Sequence, residues 1–228
     1  MKNLAFIITY VCLLASCAEQ CNIAGNSTIS SLDGRMLYLH VSPDGVESRS
    51  IDSCQVIHGR FSFSRDIDSI VMAQIYMEDE SVMPIMLENG DISIEVNHIG
   101  QRVSGGPLND RLYRFVQKKR RLENEQWELD HQCLRMMHEG NTPDEISRII
   151  GPKARKLARR VEDLETKFIL DNSDNPLGPG YFIFLFGQGP RPIMTDQVSR
   201  ILDRAPEKFL QHPLVNNYIR RARRRGTR

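Results

Sequence analysis

Five cysteines and six histidines carry whatever redox, metal or covalent chemistry this chain of 228 residues can perform. Cys12, Cys17, Cys21, Cys54 and Cys133 never stand in a Cys-x-x-Cys arrangement; the closest pair, Cys17 and Cys21, is separated by three residues. Without that spacing there is no sequence-level basis for a dithiol–disulfide centre. His131, Cys133 and His138 fall on one predicted helix, but offsets of two and five residues do not bring all three to one face, as a shared metal would require. His138-Glu139 is followed by Thr142 where a zinc-hydrolase motif needs its second histidine. The glycine pairs Gly178/Gly180 and Gly187/Gly189 sit beside Pro179 and Pro190, which remove the N–H donors a phosphate loop would use. No Gly-x-Ser-x-Gly occurs. The expectation is a protein that is not an enzyme, with no cofactor and no metal.

One cysteine stands in a pattern with a chemistry of its own. Leu14-Ala15-Ser16-Cys17 closes a segment with a basic start at Lys2 and an apolar run from Leu4 to Leu14. That run is too short for a comfortable bilayer span and reads as a secretory signal. Its end resembles the lipobox of bacterial lipoproteins: an aliphatic residue, two small ones, then a cysteine whose thiol takes a diacylglyceride before cleavage. Residues 1–16 are therefore expected to be a signal peptide and 17–21 a lipidated tether. Palmitate-type acyl chains on Cys17 would hold the protein on a membrane, at about 0.8 kcal/mol per buried CH₂. Ala18 rather than aspartate fits onward transport to an outer membrane, facing the periplasm. Export leaves Cys21, Cys54 and Cys133 in a potentially oxidising space, either with one pair bridged and one thiol free or as three small packed residues.

Charge divides the chain. Residues 22–106 hold 5 Arg and 12 Asp+Glu, net −7, whereas 107–228 hold 24 Lys+Arg and 16 Asp+Glu, net +8; Lys2 and Glu19 cancel, leaving a formal +1. The basic half contains Lys118-Lys119-Arg120-Arg121 and residues 153–160, both expected on solvated helix faces, and an end rich in arginine: Arg220, Arg221, Arg223, Arg224 and Arg225. Export argues against nucleic acid as the partner. The arginines are instead candidates for contact with anionic lipid headgroups, a protein partner, or the acidic half of the same chain.

Two kinds of element must position these groups. From residue 22 to 106, short β-branched and aromatic runs alternate with turns. Met36–Val41 ends at Pro43-Asp44-Gly45; Asp52–Ile57 turns at His58-Gly59 into the period-two run Arg60-Phe61-Ser62-Phe63. Ser69–Met77, Val82–Leu87 and Asp91–Val96 follow, the last two joined by Glu88-Asn89-Gly90, a hairpin signal. The fold class predicted is α+β: an antiparallel β-sandwich-like domain over 22–106, a helical hairpin or bundle over 107–219, and an arginine-rich tail over 220–228. Leu108, Leu112, Phe115 and Val116 recur at helical spacing and continue toward Leu122, Leu129, Cys133 and Met137, up to Gly140-Asn141. Thr142-Pro143-Asp144-Glu145 spells a capping box, and the helix behind it should bury Ile146, Ile149, Ile150, Leu157, Val161, Leu164 and Phe168, with a kink or break at Gly151-Pro152. Tyr181–Phe186 reads as a short buried helix, with further helices from Thr195 and near Pro213.

The lipobox, Gly59-Arg60-Phe61-Ser62-Phe63, Pro84-Ile85-Met86-Leu87-Glu88-Asn89-Gly90, Val103-Ser104-Gly105 and Pro107-Leu108-Asn109-Asp110 together resemble the domain of unknown function at the N-terminus of Bacteroidota thiol-disulfide lipoproteins. Phe168–Asn175 and His212-Pro213-Leu214-Val215 are similar to the helical segment that follows it there. The resemblance implies a β-domain and helices set before a thioredoxin-like domain of the TlpA, ResA or AhpC-TSA type. Such a domain would begin after Arg225-Gly226, and none of Cys21, Cys54 or Cys133 matches its catalytic cysteines. The function expected is a membrane-anchored, non-catalytic binding or positioning module of the cell envelope, with a thioredoxin-like protein as one conceivable partner. The competing expectation is an oxidoreductase cut short before its catalytic domain.

Overall fold

The computed structural model describes residues 19–78, 80–187 and 192–223. The lipobox residues Leu14, Ala15, Ser16 and Cys17 lie outside these, as do Arg224 and Arg225. Eight strands come first: β1 (Glu19–Ser27), β2 (Met36–Val41), β3 (Arg49–Gln55), β4 (Arg60–Ile67), β5 (Val71–Met77), β6 (Glu80–Leu87), β7 (Gly90–Asn97) and β8 (Gly100–Ser104). They build the expected sandwich as two four-stranded sheets, ordered β4-β1-β7-β8 and β3-β2-β5-β6. All neighbours are antiparallel except β1 and β7, which run parallel. Period-two alternation turns Leu37, Leu39, Val41, Phe61, Phe63, Ile75, Ile92 and Ile94 into the core, where each is buried. β1 begins at Glu19, inside the stretch expected to be a tether. Its sequence is a weak strand signal because Gly25 stands mid-strand, but that glycine faces Phe61 in register and a Cβ there would run into the Phe61 ring.

The hairpin expected at Asn89-Gly90 is corrected by the topology. β6 and β7 belong to different sheets, and both hydrogen-bonding edges of β7 are taken by β1 and β8, so Glu88-Asn89-Gly90 turns a corner of the sandwich. At that corner the Glu88 carboxylate points inward and is only 3% exposed. It meets the first turn of helix α1 (Pro107–His138), accepting hydrogen bonds from the backbone N–H of Leu108 (3.1 Å) and Asn109 (2.7 Å) and from Asn109 Nδ2 (2.8 Å). Asn109, fully buried, reaches back to the strand: its Oδ1 accepts from Met86 N–H at 2.9 Å and its Nδ2 donates to Met86 O at 2.8 Å. Anionic capping of otherwise unpaired N–H groups is what a helix N-terminus favours. Gly106 makes the approach possible, with φ +93° and no Cβ to strike the Glu88 carboxyl.

α1 and α2 (Pro143–Asp171) form an αα-hairpin, followed by α3 (Leu177–Phe186), α4 (Asp196–Arg204), α5 (Glu207–Gln211) and α6 (Pro213–Arg223). The capping box forms: Glu145 N–H donates to Thr142 Oγ1 and Thr142 N–H to Glu145 Oε2, the latter at 2.8 Å. Pro152 does not interrupt α2 as expected. It lies on the exposed face, as does Arg148, whose carbonyl loses its partner there and can turn to water. Ile149 is likewise exposed rather than buried, since the hairpin extends past the body that would cover it. α3 is buried along most of its length, and Tyr181 meets the stacked pair Phe115/Phe168 (centroids 4.0 Å) edge-on.

The basic run at 118–121 is only partly a solvated face. Lys119 pairs with Glu165 at 3.1 Å, and Glu165, 5% exposed, also accepts from Gln197 Nε2 of α4. Arg120 Nη1 donates to Ile99 O in the β7–β8 turn. α6 continues through Arg223, so Arg220, Arg221 and Arg223 belong to the helical domain rather than to a separate tail. Among the described residues no helix is long and apolar enough to cross a membrane.

Replacing Glu88 or Asn109 by alanine strands buried donors and acceptors at the junction of the two domains. Each change should lower the unfolding free energy by about 2–4 kcal/mol, read as a lower urea midpoint at unchanged m-value. A loss below about 0.5 kcal/mol would show that the junction is dispensable.

Candidate functional site: a cleft between sandwich and helices

The sandwich and the later helices close on each other around one large concavity. Gly180 in α3 lets that helix lie against Met72 of β5; a Cβ there would stand 2.8 Å from the Met72 Cβ. The β2–β3 loop is shaped by Asp44, whose carboxylate accepts the N–H groups of Val46 (2.9 Å) and Glu47 (3.1 Å) as an Asx turn does. Asn217 Nδ2 of α6 donates to Asp44 O at 2.8 Å, locking the loop onto the helix. Those two N–H donors hold the Asp44 carboxyl below the usual carboxylate range, and the Arg221 charge adds a smaller pull in the same direction.

The space enclosed is about 840 Å³, within the range that accommodates a small organic ligand. Its walls are largely apolar: Val46, Ile70, Val71 and Met72 from the sandwich side, Ile183, Phe184 and Leu214 from the helices. Polar side chains make up a substantial share of the lining, among them Arg49, Arg65, Asp66 and Asp68, all exposed. Two histidines contribute to the lining. His40 lies against the Tyr76 ring (centroids 4.6 Å), with Nδ1 3.1 Å from Ser48 Oγ. His212, at the α5–α6 junction, has its Nδ1 shut from solvent with no hydrogen-bond partner. Burial lowers the pKa of both imidazoles, because desolvation disfavours the charged ring.

The described thiols are not activated. All three described cysteines are free, so the disulfide left open by the sequence is absent among them. Cys21 is buried in the sandwich and burial raises its thiol pKa; Cys54 on β3 is pushed up to about 11 for the same reason, and thiols of that kind are poorly nucleophilic. His131 packs against Trp127 (centroids 3.8 Å), and among the described residues no group of three His, Cys, Asp or Glu is placed to hold a metal. Of the arginines singled out by the sequence, the described ones, Arg220, Arg221 and Arg223, do not line the cleft. Arg220 and Arg223 are exposed on the last turns of α6, while Arg221 is half-buried and its charge is a minor influence on Asp44. His40, Met72, Ile183 and His212 were not identifiable beforehand, because the cleft draws them from segments far apart in sequence and none belongs to a local motif.

The lowered histidine pKa values have a definite sign. The neutral rings favour the folded state fully above the unfolded-state value of 6.5, and that contribution is lost as pH falls from there through the depressed folded values. Stability should therefore decline with acidification in that window. The decline should be shallower in a His40→Gln/His212→Gln double variant, checked by urea titrations across the range; identical slopes would contradict it.

No curated protein matches the chain. Residues 21–112 match the model of a family described as "Domain of unknown function (DUF4369)", a span that takes in the sandwich from Cys21 and the opening of α1, so that Glu88 and Asn109 both lie within the matched unit.

Proposed function

We propose that this chain is a lipid-anchored, non-catalytic binding module of the cell envelope, held to the outer membrane by acylated Cys17 and facing the periplasm. The observation that carries the binding half is the cleft: a space of about 840 Å³ between two domains, with apolar walls interrupted by charged groups and by two neutral-favouring histidines. Such a site suits an elongated, mainly apolar ligand or an apolar segment of a protein partner, a thioredoxin-like protein among the candidates. The match to a domain of unknown function leaves the ligand open and is consistent with a module that holds rather than transforms. The anchoring half rests on the sequence pattern Leu14-Ala15-Ser16-Cys17.

The anchor is tested by the intact mass of the protein extracted from its own cell's membranes. The expected mass is that of residues 17–228 plus acyl chains, and Cys17→Ser should move the protein out of the membrane fraction. An unacylated mass would remove the anchor; a mass larger by roughly 100–150 residues would relocate the chemistry to a further domain.

For the cleft, the probe is an anilinonaphthalene sulfonate, an apolar fluorescent anion. It should bind the wild-type chain saturably. Ile70→Trp adds bulk at a lining residue already 36% exposed and should weaken that binding severalfold with little change in Tm. Unchanged binding in the variant would show that the cleft is not the site.

A further inference from the structure

The α1–α2 hairpin carries a second concavity, about 450 Å³, that shares no lining residue with the cleft. Arg111, Arg114 and Lys118 line it from α1, and Lys167 from α2. The three α1 residues recur at i, i+3 and i+7, so they stand on one helix face. Phe115 and Phe168, stacked at 4.0 Å, form its floor. Against four cations the lining offers one carboxylate, Asp171, which pairs with Lys167 at 2.8 Å.

The cations are held unequally. Arg111 Nη1 donates to Asn172 Oδ1 at 2.9 Å, and Asn172, only 1% exposed, is itself fixed by donating Nδ2 to Phe168 O at 2.7 Å. A buried neutral amide thus aims one guanidinium without neutralising it. Arg114 and Lys118 make no hydrogen bond or ion pair among the described residues, and as an i, i+4 pair of like charge they cost the helix free energy. Elsewhere on the same hairpin Lys119 is matched with Glu165 and Arg160 with Glu125. Two uncompensated cations beside a fixed fork donor make an arrangement suited to a multiply charged oxyanion.

We propose that this groove binds an oxyanion of the phosphate type, held by Arg111, Arg114 and Lys118, with Lys167 released from Asp171 to join them. The site is independent of the cleft and of the anchor. Its ligand is either free in solution or the phosphate of a lipid headgroup, and the two sources separate experimentally.

Inorganic pyrophosphate is titrated calorimetrically into the full chain in neutral detergent at constant ionic strength. In parallel, binding is compared between phosphatidylcholine vesicles and the same vesicles containing phosphatidic acid, so that insertion of the N-terminus contributes equally to both. Saturable pyrophosphate binding that weakens roughly tenfold or more in Arg114→Gln/Lys118→Gln supports a free anion. An increment due to phosphatidic acid that is lost in the same variant, with no measurable pyrophosphate binding, supports a headgroup. The control is Arg148→Gln, a charge removed on the same helix as Lys167 but roughly 28 Å along its axis. The proposal is overturned if neither probe distinguishes the double variant from wild type, or if Arg148→Gln weakens binding equally, which would indicate diffuse charge attraction only.

Discussion

A buried carboxylate stands at the joint where the sandwich passes into the helices. Glu88 leaves the sandwich at the corner between its sheets and ends on the first N–H groups of α1, while Asn109 returns two hydrogen bonds to the strand Glu88 came from. The direction of α1 is set there. Later in the chain, α3 against Met72 and α6 against the β2–β3 loop add their own contacts with the sandwich. A charge is an expensive thing to bury, and it is tolerated here because three N–H donors surround it.

Local grammar was the most readable part of the sequence. The Thr142–Glu145 capping box, the apolar repeat of α1 and the buried run Tyr181–Phe186 each involve neighbours in sequence, and each is found where the pattern put it. The failures share one cause, namely partners chosen at long range. Asn89-Gly90 has the chemistry of a hairpin turn, but β1 and β8 occupy the edges that β6 would have used. β1 itself pairs with β4 and β7, which lie roughly 40 and 70 residues onward, and its glycine makes sense only once Phe61 is laid across it. Pro152 breaks a helix on paper, whereas an exposed carbonyl at Arg148 can be served by water.

The cleft was illegible for the same reason, more severely. It is assembled from the β2–β3 and β4–β5 loops, the body of β5, α3 and the α5–α6 junction, so no window of sequence contains it. His212 illustrates the point: beside Pro213 it reads as loop punctuation, yet folding seals its Nδ1 from water against a wall contributed largely by the other domain. The charge split was legible as a possible attraction between halves, to which the structure adds only a small pull of the Arg221 charge on Asp44.

The point at which β1 starts has a geometric consequence. Strand pairing begins at Glu19. With the anchor proposed at Cys17, one residue, Ala18, separates it from the sheet, a reach of at most about 7 Å. A module on so short a leash would not sample the periplasm as a ball on a string does. It would ride at nearly constant height over the bilayer, meeting ligands that diffuse in or along the membrane plane far more often than those crossing the space between membranes.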